Sequence, residues 1–374
     1  MKFLVSTSSL LKQLSAIIGV IPGNPVVPIL ENFLFEIKEG QLYITASDLQ
    51  TSVITRLQVE AEEDGSVAIP AKMLVDTLKN LPEQPVTFHI EFNTWSVELS
   101  SDNGRYKLTG ENATDFPRAP ELMRSDALTV PSEVLSDAIN YTIFATSNDE
   151  MKPAMNGVFF NINPEHANFV ASDSHRLIRY RREDLTSEDD VAIIIHKKAL
   201  NLLKNSLPSE PAEVKLEFNS SNAIFSFNHV KLICRLIDER FPDYENVIPL
   251  NNENEVMIDR QELLSTLKRI VIYANKSTNQ VRFRINGNEM QVSAEDLDFS
   301  NEASERLFCD HNGPDIEIGF NARFLIEILN NLSSEKVTIR LSEPSSAGLI
   351  VPQDHGDKED ILMLVMPIML HNYV

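Results

Sequence analysis

The sequence predicts an α+β protein made of three similar domains, with strands outnumbering helices and two helices in each domain. Three observations predict it. Phe116-Pro117, Phe241-Pro242 and Met366-Pro367 set prolines 125 residues apart, twice. The triplet Ala-x-Asp recurs as Ala46-Ser47-Asp48, Ala171-Ser172-Asp173 and Ala294-Glu295-Asp296 at spacings of 125 and 123. Each triplet closes a pair of alternating apolar runs, and self-similarity at a fixed period marks a chain built from copies of one unit.

Each copy opens with an apolar-periodic helix: SSLLKQLSAIIGVI, PSEVLSDAINYTIFA and DRQELLSTLKRIVIYA. The hairpins follow. The first copy carries Phe33, Phe35 and Ile37, a turn at Glu39-Gly40, then Leu42 and Ile44. The second carries Val158, Phe160 and Ile162, a turn at Asn163-Pro164, then Phe169. The third carries Val281, Phe283 and Ile285, a turn at Asn286-Gly287, then Met290 and Val292. Period-two alternation broken by turn residues reads as half-buried antiparallel strands. A second helix follows in each copy. AKMLVDTLKNLP and ARFLIEILNNL place leucines at i, i+4 and i+7, and KKALNLLKNSLP varies the pattern. The copies divide the chain into residues 1–122, 123–250 and 251–374, with Pro-rich linkers at FPRAPELMRSD and FPDYENVIPLNNEN.

Within ASDSHRL (171–177), Asp173, Ser174, His175 and Arg176 have the vocabulary of catalysis. Recurrence of Ala-x-Asp in all three copies predicts instead that Asp173 is a turn carboxylate bonding local backbone N–H groups. An enzyme using Asp173 and His175 is the competing reading. No nucleophile elbow, HExxH or phosphate-cradling Gly loop accompanies the pair, and no histidine has metal-ligand spacing. No metal or other cofactor is expected.

The formal charge is −22, from 33 basic and 55 acidic residues. Taken alone it argues against nucleic acid, but the charge is uneven. The helical segments 8–21, 71–81, 132–146, 197–207, 259–276 and 322–332 hold eleven basic and six acidic residues. Lys72, Lys198 and Arg323 stand at the same place at the start of the second helix in every copy. A cation there opposes the helix dipole, and a basic stripe is the footprint of phosphate contact. The alternative is an acidic repeat scaffold that binds proteins and never DNA. No apolar run could span a bilayer, no signal peptide is read at MKFLVSTSSLLKQL, and Cys234 and Cys309 form no CxxC pair. A reducing cytoplasm and no membrane contact are expected.

Met1-Lys2-Phe3, Pro28-Ile29-Leu30, Asn156-Gly157, Asp173 with His175-Arg176-Leu177, Arg240-Phe241-Pro242-Asp243-Tyr244, Gly319-Phe320-Asn321 and Val365-Met366-Pro367 stand in order along the triplicated frame. On these residues the chain resembles the bacterial DNA polymerase III β subunit family, the sliding clamps, along nearly its whole length. The resemblance implies the DNA clamp fold and a head-to-tail homodimer whose six domains close a ring around duplex DNA, without sequence preference. It implies a non-catalytic processivity factor, with ATP consumed by a separate clamp loader. By resemblance, Asn24, Lys72, Arg105, Lys152, Lys197 and Lys198 contact DNA. Asn24 stands where some relatives carry a basic residue. The joint sets Tyr106 and Leu108 of one chain against Ile272 and Tyr273 of the other, with burial inside one domain as the competing explanation.

The resemblance also places a peptide pocket at ASDSHRL, where polymerase, loader and repair proteins dock short segments. Its first part is Met155, Ser172, Ser174, His175, Arg176, Leu177, Pro242 and Val247. Its second is Leu364, Val365, Met366, Pro367, Ile368 and Met369. A Met-rich cleft can repack around different Leu and Phe anchors, and His175 and Arg176 are expected on its rim. Ser174 replaces a common Gly, Met369 stands where a basic residue is common, and His371-Asn372-Tyr373-Val374 extends past the usual end.

Overall fold

The computed structural model describes residues 1–122 and 125–370. The tail from His371 on, and Met123 and Arg124 of the first expected linker, lie outside the described residues. Among the described residues there are six α-helices, two per copy: α1 (Thr7–Ile17), α2 (Ala71–Lys79), α3 (Ser132–Thr142), α4 (Lys197–Ser206), α5 (Arg260–Ile270) and α6 (Ala322–Asn330). The paired strands are antiparallel. The three expected hairpins form at 32–47, 157–172 and 280–296.

The first helix of each copy ends sooner than its apolar spacing predicts. A 3₁₀ turn follows each one, at Ile18–Val20, Ile143–Ala145 and Val271–Tyr273. Short-range bonds stop the helix there: Ile21 N–H to Ile18 O (3.1 Å), Thr146 N–H to Ile143 O (3.2 Å) and Ala274 N–H to Val271 O (3.3 Å). Such turns tighten a helix end without changing which face is apolar, so periodicity does not distinguish them.

The start of α1 shows how a helix is fixed locally. The Ser6 hydroxyl accepts the Ser9 N–H at 3.3 Å, as an N-cap does. Glu83 reaches the same end, accepting from Ser8 N–H (2.8 Å), the Ser6 hydroxyl (2.7 Å) and the Thr7 hydroxyl (3.1 Å). Hydrogen bonds from Ser8 and then Ser6 lower its pKa from 4.5 to about 2. A depressed carboxyl pKa adds stability that is complete above the unfolded value and is lost as pH falls through the folded one. Glu83→Gln is therefore expected to lower the thermal midpoint at pH 7, with the difference closing between about pH 4.5 and 2.

The chain forms two compact units, and the cut runs through the central copy. One comprises Met1–Ser136 with Lys198–Leu236; the other comprises Asp137–Lys197 with the chain from Ile237 on. In the first unit an eight-stranded sheet joins two copies, because Val230–Arg235 pairs with Thr51–Gln58. A five-stranded sheet accompanies it, with Arg105–Thr109 as an outermost strand. In the second unit a nine-stranded sheet joins the central and third copies through Arg176–Arg182 paired with Glu359–Val365. A four-stranded sheet accompanies it, with Asn301–Phe308 outermost. The second expected linker is not free chain. Phe241 and Tyr244 are buried, and Phe241 stacks on Phe159 at 4.9 Å. Burying two aromatic side chains outweighs the Pro-rich composition that suggested a linker.

Candidate functional site

ASDSHRL is a turn built by its own polar side chains. The Asp173 carboxylate accepts the N–H groups of His175 and Arg176, both at 3.0 Å. The Ser172 hydroxyl accepts Ser174 N–H (3.2 Å) and donates to Arg176 O (2.8 Å). The first copy repeats the device: Asp48 accepts the N–H groups of Gln50 (3.0 Å) and Thr51 (2.6 Å), and Ser47 accepts that of Leu49 (3.2 Å). In the third, Asp296 accepts Asp298 N–H at 3.2 Å. Asp173 thus has the structural role that recurrence predicts. Its other oxygen accepts Arg176 Nε at 3.0 Å, which leaves no lone pair positioned for general-base work. The His175 ring stacks on Phe324 instead, with centroids 6.0 Å apart.

Arg176 is not on the rim. It is 6% exposed. Besides Asp173, it donates to Glu327 (2.6 Å) and to Phe144 O (2.7 Å). Its guanidinium lies over the Phe324 ring at 4.7 Å and the Phe144 ring at 5.3 Å. It starts the strand that pairs with Glu359–Val365, opposite Val365. From there it points into the unit, where a buried charge persists only if paired. Two carboxylates, a carbonyl and two ring faces satisfy it. Arg176 is the fastener between the central copy (Asp173, Phe144) and the third (Phe324, Glu327). Sequence reading missed Phe144, Phe324 and Glu327, which sit on helical segments whose spacing says nothing about this partner.

Leu177, Leu364 and Val365 also lie deeper than a pocket surface. They are 3%, 2% and 1% exposed, and Leu177 faces Leu364 across the strand pair. With Val170, Phe241, Tyr244, Leu349 and Leu362, the two leucines form the core beneath the site. Ser172 is buried too, held by the turn. Above lie exposed Pro242, Val247, Met366 and Met369, and half-buried Met155, Pro367 and Ile368. Two backbone bonds fix the terminal segment there: Met366 N–H to His175 O and Ile368 N–H to Gly319 O, both 2.8 Å. A Cβ on Gly319 would lie 2.6 Å from Ile368 O, so only glycine lets the segment cross so closely. Ser174 occupies the left-handed region at φ +79°, a conformation costing a side-chain-bearing residue about 1–2 kcal/mol. That cost explains the glycine often found there. Its hydroxyl accepts from Lys152 Nζ at 3.0 Å and donates to Met155 Sδ at 3.3 Å.

Lys72, Lys198 and Arg323 are each the second residue of their helix, and each is exposed. Lys198 pairs with Asp48, and Arg105 with Glu98. Lys197 donates to Ser147 O and the Asn148 side chain, and partial burial lowers its pKa. Asn24 lies in an exposed loop between the 3₁₀ turns Ile18–Val20 and Pro28–Glu31.

The expected joint residues divide. Tyr106 is 37% exposed on the outermost strand Arg105–Thr109. Leu108 is 6% exposed, faces Val97, and belongs to its own domain's core. Alternation along a strand turns it inward, so burial inside one domain is the right explanation for it. Ile272 and Tyr273 are 63% and 44% exposed on the 3₁₀ turn after α5. The outermost strand Asn301–Phe308 carries Glu302 and Glu305, whereas Arg105–Thr109 carries Arg105 and Lys107. Sequence reading missed this strand as a partner, although its charge was visible.

Three copies of one two-helix, antiparallel-sheet domain, with unpaired strand edges and an apolar docking surface, define a clamp-type scaffold that acts by holding. The family descriptions that match are the DNA polymerase III beta subunit N-terminal domain over residues 1–120, central domain over 129–243 and C-terminal domain over 245–368. The chain belongs to the DNA polymerase III beta subunit family, the sliding clamps, which are non-catalytic processivity factors of that polymerase. It is 30% identical to the beta sliding clamp of Vibrio cholerae over 99% of this chain and 100% of the relative. It is also 30% identical to that of Synechococcus elongatus, with full coverage of both. Among solved structures, the Pseudomonas aeruginosa clamp bound to griselimycin superposes with a TM-score of 0.93 at 27% identity, covering 99% of this chain and 100% of that one.

Proposed function

We propose that two copies close head to tail into a ring around duplex DNA, which tethers the replicative polymerase to its template. The observation that carries this reading is the exposed cation at the second position of α2, α4 and α6. Helix stability disfavours it and phosphate contact rewards it. Asn24, Lys72, Lys197, Lys198 and an Arg105 released from Glu98 make weak contacts to the backbone, which position without reading sequence. Acidic residues elsewhere discourage DNA from binding outside the ring. The joint pairs the Arg105–Thr109 edge of one chain with the Asn301–Phe308 edge of its partner, basic against acidic, with Tyr106 packing near Ile272 and Tyr273. Unpaired strand edges are templates for such pairing.

Met155, His175, Pro242, Val247, Met366, Pro367, Ile368 and Met369 form the surface on which partner peptides lay their Leu and Phe anchors, above the Leu177–Leu364 floor. Polymerase, loader and repair proteins use it in turn, and tethering raises the effective concentration of each at the DNA. We place the protein in the cytoplasm. No helix among the described residues is long and apolar enough to cross a membrane. Burial of Cys234 pushes its thiol pKa up to about 12, which suits a structural cysteine.

The test is retention. Loaded onto a nicked circular duplex with its loader and ATP, the protein is expected to survive a salt wash and to be lost once the circle is linearised. A protein never retained on the circle is an acidic scaffold without DNA, and the ring reading falls.

A further inference from the structure

Lys152 has a place that DNA contact does not explain. Its stem is fixed by the backbone bond from Met155 N–H to Lys152 O at 2.9 Å. Its ammonium donates to the Ser174 hydroxyl at 3.0 Å, and that hydroxyl donates onward to Met155 Sδ at 3.3 Å. The cation is thereby turned toward the peptide surface. Lys152 makes no ion pair among the described residues, unlike Arg105, Arg176 and Lys198. Asp173, the carboxylate next to Ser174, is already taken by Arg176 and two backbone N–H groups. The result is an exposed, unneutralised ammonium beside an apolar groove, on a chain whose net charge is −22. Ser174 keeps a left-handed backbone that glycine would adopt freely. Such an outlier points to a use for the side chain, and here the side chain holds the cation.

We propose that Lys152, positioned by Ser174, is a specificity-determining residue of the peptide site, selecting docked segments that carry a carboxylate beside their apolar anchors. This rests on the docking reading above and adds the charge preference. An exposed ion pair is modest and screened by salt, so the effect is one of choice between peptides more than of affinity.

The test uses the full-length protein and fluorescein-labelled nonapeptides with fixed Leu and Phe anchors. Asp or Asn is placed at each position flanking the anchors, and binding is read by anisotropy. At low salt at least one Asp peptide is expected to bind about 3- to 5-fold more tightly than its Asn twin. Lys152→Gln and 0.5 M salt are expected to abolish the difference. Ser174→Gly is expected to shrink it while leaving the Asn peptides bound. Lys152→Gln should leave the salt dependence of DNA binding unchanged. Equal binding of Asp and Asn peptides, or a preference that survives Lys152→Gln, overturns the proposal and leaves the docking reading standing. So does a loss confined to the DNA salt slope, which assigns Lys152 to phosphate. Failure of every peptide to bind overturns the docking reading as well.

Discussion

Replacing Arg176 with Met is expected to destabilise the second unit by about 3 kcal/mol or more, because breaking a buried ion pair leaves its partners uncompensated. Glu327 is half exposed and recovers water, so most of the loss falls on Asp173, whose side chain is 15% exposed, and on Phe144 O. Thermal unfolding is expected to shift down by roughly 6–12 °C. Lys at this position keeps the charge but cannot fork between Asp173, Glu327 and the carbonyl while stacking on two rings, so Arg176→Lys should recover less than half of the loss. The same substitutions unseat Phe324, against which His175 stacks. Peptide affinity is therefore expected to fall at least tenfold in Arg176→Met, with the mass in solution unchanged. Wild-type stability together with wild-type peptide binding would remove the fastener role.

The second large effect is expected at the joint. Ile272→Asp puts a charge on a side chain that is 63% exposed in the single chain, so the folded chain should lose little stability. In the dimer that side chain is covered, and loss of a central apolar anchor costs about 2 kcal/mol or more. Unpaired burial of the carboxylate adds to this. Dimer dissociation should weaken by at least about 30-fold, and retention on circular DNA should fail. Peptide binding should persist, because the docking surface lies within one chain. Tyr106→Ala, on the opposing edge, is expected to act in the same direction but less strongly.

The repeats made the scaffold legible. Three hairpins, six helices and the turn role of Asp173 follow from period-two and period-3.6 patterns and from the recurrence of Ala-x-Asp. Pairing between copies did not. Val230–Arg235 on Thr51–Gln58 and Arg176–Arg182 on Glu359–Val365 are long-range choices, and a strand's pattern records which face is buried, not which neighbour it meets. Side-chain direction was the second loss. Arg176 and Leu108 carry the right chemistry for a rim and a joint, yet both point inward, for reasons that lie in distant residues. Glu327 and Phe324 could be seen only as helix positions until the strand pair brought Arg176 beside them. The position of Ser174 was visible, but its positive φ, and with it the bridge from Lys152 to Met155, appears only in three dimensions.

Function by encirclement needs two copies, so the mass in solution is the most direct measurement. Sedimentation equilibrium of the full chain at micromolar concentration is predicted to give a species of twice the 42.2 kDa chain mass. It should revert toward 42.2 kDa in Ile272→Asp. A wild-type protein that stays at 42.2 kDa at every concentration tested, with or without DNA, would contradict the account.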